Sequence, residues 1–566
     1  MRKILDSNFT LPRLLVRTVA YNFLVQRTFL AALAGAVWSL AFPLPGISIL
    51  AWLVPSLLCL LGFGLTSRAA LFFGFIAGLT FNLLSLKWLL AVPVGWSACV
   101  HWLLLCFSLA PYPAIWTWFC RETSFRAPRE ENDKRLQQFG LSDLGVLQSI
   151  YWTITCAAGW AVLEFIQSSI FTGFPWNLLG SSQFEFLPYI QLASITGTSG
   201  LSFLIVWNSL SFLYLICSLT AKNPAPKFIP FLTSGCFLLA VLTMGNLRVA
   251  RAAPVYKVIR CALVQPGGRF DDIGDMEQRQ ERFSSVVKLS CLINPQTTDL
   301  ILWPEGGVAK MLRWDGLTES RITGLARNNK INLIICAVDA EIITDKNDNL
   351  QLNRYNAAFL IDDRGRIVST YKKQHLVPWH EYTPVKFFKF LMPIANDFTP
   401  GLQPMVFDIK SLDIRTSVLI CIEDIFAPLA RERAALNLDF LVDLGDDGWF
   451  GLAAAQKQHL ASSALRAVEC QVPLLRCTAN GLTCLVDAYG HICQSLPVGE
   501  PGVLFVDLPL IKRSERSPTF YQNHGDWFPW TCLLWIIITM LYAARPHFLA
   551  FLGGINKNKA ANKSTK

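Results

Sequence analysis

Long apolar segments fill the first half of the chain and return once near its end. The 566 residues are 52% hydrophobic and include 18 Trp and 39 Phe, which is the composition of a membrane protein rather than of two soluble domains. Segments long enough to span a bilayer are predicted near 28–44, 47–65, 69–90, 97–119, 149–170, 189–219 and 228–247, with one more near 527–544. The pattern predicts a membrane domain of about seven helices over 1–254 and a further helix within 514–566.

The distribution of basic residues predicts an orientation. Lys and Arg cluster at the N-terminus, at Arg68, in the polar insert 121–145, at 222–227 and after Arg545. With seven spans and a cytoplasmic N-terminus, every cluster falls on the cytoplasmic side, as the positive-inside rule expects. The segment between the last two spans then lies on the opposite face, which in a bacterium is the periplasmic face of the inner membrane. This topology also explains the net charge of +10, which therefore does not indicate nucleic-acid binding.

The N-terminus has an alternative interpretation as a secretory signal, because a basic stretch precedes the apolar segment 28–41. Many further apolar segments follow it. An uncleaved first span is therefore the simpler expectation.

Between the spans, residues 255–513 change to short strands that alternate with amphipathic helices. Strands are predicted at 258–264, 300–303, 333–338, 418–422, 440–444 and 474–478, helices at 282–293 and 456–469, and hairpins at 357–371 and 483–495. The hairpin turns contain glycine, which supplies the positive φ that such turns need. The sequence thus predicts an α/β domain outside the membrane.

Three residues suited to covalent chemistry stand at or just after predicted strand ends. Glu305 follows the apolar run 299–304, Lys373 follows Tyr371 and Lys372, and Cys421 ends the run 417–421. A buried cysteine in a strand is usually an inert packed thiol. A carboxylate that removes the thiol proton and an ammonium that meets an oxyanion would together make it a nucleophile. The combination predicts acyl transfer through Cys421.

The three blocks, in this order, resemble the nitrilase or carbon-nitrogen hydrolase superfamily across 255–513. The resemblance implies an α-β-β-α sandwich as the fold of this part. It also implies that Glu305 is the general base, Lys373 the oxyanion-stabilising cation and Cys421 the nucleophile.

The same resemblance implies supporting roles for Glu381 and Glu423, and a position near the mouth of the active site for Trp449. Structural hydrogen bonding to the backbone is the alternative role of both glutamates. The chain departs from the family pattern at Ile422, where Tyr is common, and at His380, where Gly is common. These departures leave pocket shape and substrate preference open.

A second match lies in the membrane part. The segment 171–183 contains Gly173-Phe-Pro-Trp176, and it is similar to a loop of bacterial apolipoprotein N-acyltransferases. This resemblance covers nearly the whole chain. It implies transfer of an acyl chain from a phospholipid to the N-terminal amino group of a diacylglyceryl-modified apolipoprotein. For the loop alone, an aromatic anchor at the membrane surface is the alternative.

Two other functions remain open at this point. A membrane-tethered amidase acting on small amides would use the same three residues, and a non-catalytic membrane scaffold would use none of them. The spacing of Cys and His indicates no metal site, and the chain has no P-loop, G-x-G-x-x-G turn or G-x-S-x-G elbow. We expect no cofactor and no metal.

Overall fold

The N-terminal part of the molecule is a bundle of helices. The computed structural model describes residues 10–125, 144–219, 227–251, 254–268, 276–344, 348, 350–383, 397–451 and 454–542. Its helices are α1 (Thr10–Leu40), α2 (Val54–Gly62), α3 (Ser67–Ser85), α4 (Ser97–Leu109), α5 (Pro111–Phe125), α6 (Val146–Ser169), α7 (Leu187–Ile190), α8 (Ala193–Thr196), α9 (Thr198–Leu219) and α10 (Ile229–Val249). Most of the polar insert 121–145 lies outside the described residues.

Within the described residues, six apolar helical stretches are long enough to cross a bilayer. They are Phe23–Leu40, Ser67–Ser85, Ser97–Ser124, Val146–Ser169, Thr198–Leu219 and Ile229–Val249. The third stretch combines α4 and α5. The chain is therefore a multi-pass membrane protein, as the hydropathy pattern predicts.

Two of the predicted spans form shorter helices. Segment 47–65 folds as Ser48–Gly62, a 3₁₀ turn followed by α2, and segment 527–544 folds as Trp527–Tyr542, with its last two residues outside the described part. Both fall below the 18 residues that the longer helices reach. The total of seven spans before the α/β part accordingly stays a prediction.

The second half of the described chain is built on two sheets of six strands. The strands are β1 (Lys257–Gln265), β2 (Leu300–Trp303), β3 (Asn332–Thr344), β4 (Leu350–Ile361), β5 (Ile367–Lys372), β6 (Val406–Ile409), β7 (Ile414–Ile420), β8 (Phe440–Gly445), β9 (Leu474–Thr478), β10 (Cys484–Val486), β11 (Ile492–Ser495) and β12 (Gly502–Leu510). The first sheet has the order β12-β1-β2-β3-β4-β5 and the second the order β11-β10-β9-β8-β7-β6.

Four helices cover the outer faces of the two sheets. They are α11 (Met276–Cys291), α12 (Gly316–Asn329), α13 (Ala427–Ala434) and α14 (Ala454–Cys470), and two further helices, α15 (Phe520–His524) and α16 (Trp527–Tyr542), follow the last strand. The inner faces of the sheets meet in one apolar core, in which residues such as Leu300 and Ile334 pack with Val418 and Val442. Helices α11 and α12 pack on the first sheet, and α13 and α14 pack on the second. The predicted α-β-β-α sandwich is confirmed.

One strand end differs from the sequence prediction at a position that matters. The predicted strand 418–422 ends at Ile420, and Cys421 begins a 3₁₀ turn, Cys421–Ile425. Cys421 has a φ of +53°, which a strand residue does not adopt. The side chain of Glu423 closes the turn, because its Oε2 accepts a hydrogen bond of 2.8 Å from the Ile420 N–H.

Candidate active site

Glu305 lies in the tight turn that follows β2. Trp303 is fully buried, and Gly306 has a φ of +69°, a conformation that disfavours a side chain. A Cβ on Gly306 would lie only 2.7 Å from Nη1 of Arg282. The glycine therefore lets the chain turn sharply under Arg282, with the Glu305 carboxylate directed toward β4 and β5.

The Lys373 ammonium joins two glutamates in one buried group. Its Nζ lies 2.9 Å from Oε2 of Glu381 and 3.6 Å from Oε1 of Glu305. Asn356 on β4 bridges the same two side chains, since its Nδ2 donates to Glu305 over 2.6 Å and to Glu381 over 2.8 Å. We refer to Glu305, Lys373, Glu381 and Asn356 as the Lys373 cluster.

The two carboxylates of the Lys373 cluster differ in acidity. Burial raises the pKa of Glu305, and the attraction of Lys373 does not fully offset this effect. Burial acts on Glu381 in the same direction, but Lys373 and the Asn356 hydrogen bond outweigh it and lower its pKa. Burial also opposes the charged form of Lys373, yet Glu381 and Glu305 hold its pKa well above the ordinary value. Glu381 is thus the ionised partner of Lys373, and Glu305 is the carboxylate with the greater affinity for a proton.

Cys421 stands at the start of the 3₁₀ turn after β7 and is 7% exposed. Its left-handed backbone conformation is uncommon for a residue other than glycine and places strain at this position. Burial raises the pKa of the thiol well above its ordinary value, Glu305 raises it further, and Lys373 lowers it. These influences place Cys421 within electrostatic reach of Glu305 and Lys373. Because the resting thiol is protonated, a nucleophilic role requires a base beside it.

Lys372 ends β5 and Lys373 follows it, and the two lysines face different surroundings. The Lys372 Nζ lies 2.5 Å from Oε2 of Glu341, whose side chain is 40% exposed, and 3.9 Å from the ring centre of Tyr355. Lys373 is instead 1% exposed within its cluster. Lys373 is therefore the lysine that meets Glu305.

Glu423 holds the segment after Lys373 against the 3₁₀ turn. Its Oε1 accepts hydrogen bonds from the backbone N–H groups of Gln374 (2.7 Å) and His375 (3.0 Å), and the Tyr371 hydroxyl donates to it over 2.7 Å. Its Oε2 accepts the Ile420 N–H that closes the turn. These contacts match the alternative role of Glu423, which is structural hydrogen bonding to the backbone. Glu381, by comparison, contacts the Lys373 ammonium directly.

A second buried charged group lies on the other side of the turn. Arg476 on β9 has Nη1 at 2.6 Å from both Asp424 and Asp443, and Nη2 at 2.8 Å from Asp447. The His459 ring contacts Asp424 through Nε2 (2.6 Å) and Asp447 through Nδ1 (2.8 Å). These five residues form the Arg476 cluster.

The three carboxylates of the Arg476 cluster also differ in acidity. Burial raises the pKa of Asp443 well above its ordinary value, and the neighbouring Asp424 adds to this effect. Despite burial, His459 and Arg476 lower the pKa of Asp424 and of Asp447. Burial favours neutral His459, but Asp424 outweighs it and raises the imidazole pKa to about 9. Asp443 is therefore the carboxylate of this cluster with the greatest affinity for a proton, while Asp424 and Asp447 face the guanidinium and the imidazolium.

Two further positions predicted from the sequence are Trp449 and Trp176. The backbone of Trp449 belongs to the 3₁₀ turn Asp447–Phe450, but its side chain lies outside the described part, so its role stays a prediction. Trp176 is 4% exposed, and its Nε1 donates to Oε1 of Gln458 over 2.8 Å. The loop tryptophan is therefore buried against the α/β part of the molecule, whereas a surface anchor would be exposed.

Sequence reasoning missed two residues that organise the site. Arg476 is a polar residue within a fully buried strand, and Asn356 is followed on β4 by five buried apolar residues. A polar side chain in such a strand must find a partner, and this requirement was the available signal. Which partner it finds depends on pairing between distant strands, which the sequence alone does not fix.

Comparisons with known proteins cover both halves of the chain. A family model described as carbon-nitrogen hydrolase matches residues 260–515, and one described as apolipoprotein N-acyltransferase N-terminal domain matches residues 34–211. An apolipoprotein N-acyltransferase of Geobacter metallireducens is 32% identical over 554 residues, covering 94% of this chain and 98% of that protein. Another, of Rickettsia prowazekii, is 28% identical and covers 82% of this chain and 88% of that protein.

Among solved structures, an amidase from Nesterenkonia sp. matches 49% of this chain and 99% of its own, with 22% identity and a TM-score of 0.35. The sequence comparisons, by contrast, extend from the membrane helices through the sandwich. This chain belongs to the apolipoprotein N-acyltransferase family.

Proposed function

We propose that this protein transfers an acyl chain from a membrane phospholipid to the N-terminal amino group of a diacylglyceryl-modified apolipoprotein. Cys421 carries the acyl group between donor and acceptor as a thioester. Family membership supports the reaction. The structural observation that carries the proposal is the direct packing of the turn Cys421–Ile425, which we call the nucleophile turn, on the membrane helices.

That packing is apolar. Ile425 and Phe426, which end the turn and follow it, share a buried cluster with Trp88, Leu109 and Trp176 of the membrane part. Ile422, the residue after Cys421, packs on the same cluster. An acyl chain lying among these helices would thus have a short path to the thiol.

The energetics of lipid transfer favour this arrangement. Moving a sixteen-carbon chain from the bilayer into water costs on the order of 12 kcal/mol, at ~0.8 kcal/mol per methylene. An enzyme that uses phospholipid must therefore work where the lipid already lies. A catalytic domain packed on membrane helices meets this requirement, whereas an amidase acting on small soluble amides has no need of it.

In the first half-reaction, Glu305 takes the proton of Cys421 and the thiolate attacks the ester carbonyl carbon. The carbonyl oxygen becomes an oxyanion, which the Lys373 ammonium stabilises. The intermediate collapses with cleavage of the ester C–O bond, and Glu305 returns the proton to the leaving lysophospholipid oxygen. Cys421 is left as an acyl thioester.

In the second half-reaction, the acceptor amine attacks the thioester carbonyl. Glu305 takes a proton from the amine, Lys373 again stabilises the oxyanion, and the C–S bond breaks to give an amide. The thiolate regains the proton from Glu305. Glu381 keeps Lys373 charged throughout, and Glu423 fixes the segment after Lys373 relative to the turn.

The proposal extends to domains and location. Residues 1–254 form the membrane domain, 255–513 the catalytic domain, and 514–566 a returning helix with a basic cytoplasmic tail. The protein lies in the bacterial inner membrane with its catalytic domain on the periplasmic face. The distribution of Lys and Arg supports this orientation.

Product analysis tests the proposed function. Purified protein in phospholipid vesicles is given a diacylated lipopeptide with a free N-terminal amine, and Cys421→Ala serves as the matched control. We expect a lipopeptide heavier by one acyl chain, with one lysophospholipid released per amide. Release of free fatty acid without a new amide, or acid from small amides only, would favour the amidase.

A further inference from the structure

Helix α14 separates the second sheet from the membrane helices and contacts both. Ala461 and Ala464 pack with the residues that cover the second sheet. Leu465 and Val468, on the same helix, belong to the core of the membrane bundle together with residues such as Tyr189. A displacement of α14 would thus move the two halves of the molecule relative to each other.

Near its N-terminal end, α14 inserts one polar side chain into the membrane part. Gln458 is 5% exposed, and its Oε1 accepts hydrogen bonds from Trp176 Nε1 (2.8 Å) and Asn177 Nδ2 (3.2 Å). Its Nε2 donates to the backbone oxygens of Pro43 (2.8 Å) and Ser85 (3.3 Å). Both lone pairs and both protons of the amide are therefore used.

These four partners come from three separate places in the membrane part. Pro43 follows α1, Ser85 ends α3, and Trp176 with Asn177 belongs to the loop after α6. One amide thereby fixes the relative positions of two membrane helices and the loop. An apolar side chain would leave both backbone oxygens and both donors without this partner, which is costly in a buried setting.

The next residue on α14 reaches the nucleophile turn. His459 contacts Asp424, which lies within the turn Cys421–Ile425, and its ring centre is 5.4 Å from that of Trp176. Two successive side chains of one helix thus connect the membrane bundle to the segment that begins with Cys421.

We propose that Gln458 is a positioning residue that sets the Cys421 turn in register with the membrane helices. It contacts neither the thiol nor the Lys373 cluster. Its effect is to align the thiol with a lipid donor, acting through α14 and the Trp176 loop. This inference rests on the proposed acyl transfer from phospholipid.

The test compares two rates in the full-length protein in vesicles. The first is acyl-thioester formation from phospholipid without acceptor, and the second is alkylation of Cys421 by iodoacetamide. Gln458→Met keeps the length of the side chain and removes its amide. We expect about tenfold slower acylation, which corresponds to the net contribution of one buried hydrogen bond. Alkylation should stay at the wild-type rate, because the small reagent needs no alignment with the bilayer. A merely structural loss would lower both rates together.

Two further variants keep the inference falsifiable. Trp176→Phe retains an aromatic ring and removes a single donor to Gln458. Acylation should therefore slow less than in Gln458→Met, with alkylation again at the wild-type rate. In the double variant, the two acylation defects should not add fully. Gln191→Met is the matched control: Gln191 also links the two halves, through Nε2 and the Tyr489 oxygen (2.8 Å), but Tyr489 lies between β10 and β11 and not on α14 or in the Trp176 loop. It should acylate at the wild-type rate.

Several outcomes would overturn the inference. They are wild-type acylation in Gln458→Met and Trp176→Phe, equal losses of acylation and alkylation in a folded Trp176→Phe, or slower acylation with wild-type alkylation in Gln191→Met. A wild-type protein that forms no thioester would instead contradict the proposed function itself, so the two failures are distinguishable.

Discussion

The Lys373 cluster and the Arg476 cluster lie on either side of the nucleophile turn, and both bury charged groups within the same sandwich. In the Arg476 cluster, every ion-paired side chain is at most 1% exposed. In the Lys373 cluster, Glu305 is 16% exposed and one ammonium faces two carboxylates. The first arrangement is closed to solvent, whereas the second keeps a partly exposed carboxylate within electrostatic reach of the Cys421 thiol.

Buried ion pairs therefore have different roles in the two clusters. Where the paired charges are closed to solvent, the gain is a fixed geometry, here the positions of Asp424 and the turn. Where one carboxylate is partly exposed near a thiol, its raised pKa makes it a better proton acceptor. We therefore expect substitutions in the Lys373 cluster to lower activity and substitutions in the Arg476 cluster to lower stability.

The largest effect is expected for Glu305→Gln. Without this base, acyl transfer should fall by ~10²- to 10⁴-fold. Alkylation of Cys421 by iodoacetamide should slow at neutral pH and recover as the pH is raised toward the pKa of the thiol. In the wild type, activity should rise with pH through the pKa of Glu305, which lies above the ordinary 4.5. Equal alkylation in wild type and variant at every pH would remove Glu305 from the role of base.

Lys373→Met should lower acyl transfer by about 10²- to 10³-fold, the usual loss for one oxyanion donor. Alkylation should fall less than acyl transfer, because Glu305 still accepts the thiol proton. Lys372→Met is the matched control, since Lys372 pairs with the half-exposed Glu341 outside the cluster. A fully active Lys373→Met together with an inactive Lys372→Met would transfer the assignment to Lys372.

Arg476→Met should act on stability. Removing the guanidinium leaves buried carboxylates without their partner, a loss that typically costs ~3–5 kcal/mol. The free energy of unfolding, followed by thermal or denaturant unfolding in detergent, should therefore drop markedly. Arg366→Met removes an arginine that pairs with Asp362 but is 63% exposed, and it should change little. Similar stability of both variants would contradict the structural role of the Arg476 cluster.

A smaller effect is expected from the pH dependence of His459. Its pKa is raised from 6.5 to about 9. The stability that protonated His459 contributes is therefore complete below pH 6.5 and is lost as the pH rises through about 9. This shift corresponds to about 3 kcal/mol at most. His459→Gln should be less stable than wild type at pH 6 and should lack this alkaline loss. An unchanged pH dependence in the variant would assign the loss to another group.

The sequence predicted what local patterns and motif order determine. The strands of 300–303 and 474–478, the helical bundle and the proximity of Glu305 to Lys373 follow from periodicity and from where strands end. The sequence did not predict that Cys421 leaves the strand with a positive φ, because Glu423, which closes the turn, is itself held by the N–H groups of Gln374 and His375, 49 and 48 residues away along the chain. Nor did it predict the partners of Asn356, which bonds to Glu305 across 51 residues of chain.

The most direct measurement is mass spectrometry of the protein after incubation with phospholipid in the absence of acceptor. We expect one acyl chain on the peptide that contains Cys421, removable by hydroxylamine and absent in Cys421→Ala. Cys477→Ala should acylate like wild type, because the Cys477 thiol is fully buried and faces the backbone oxygens of Val264 and Leu302 at 3.4 Å. Acylation that persists in Cys421→Ala, or that maps to another residue, would contradict the central claim.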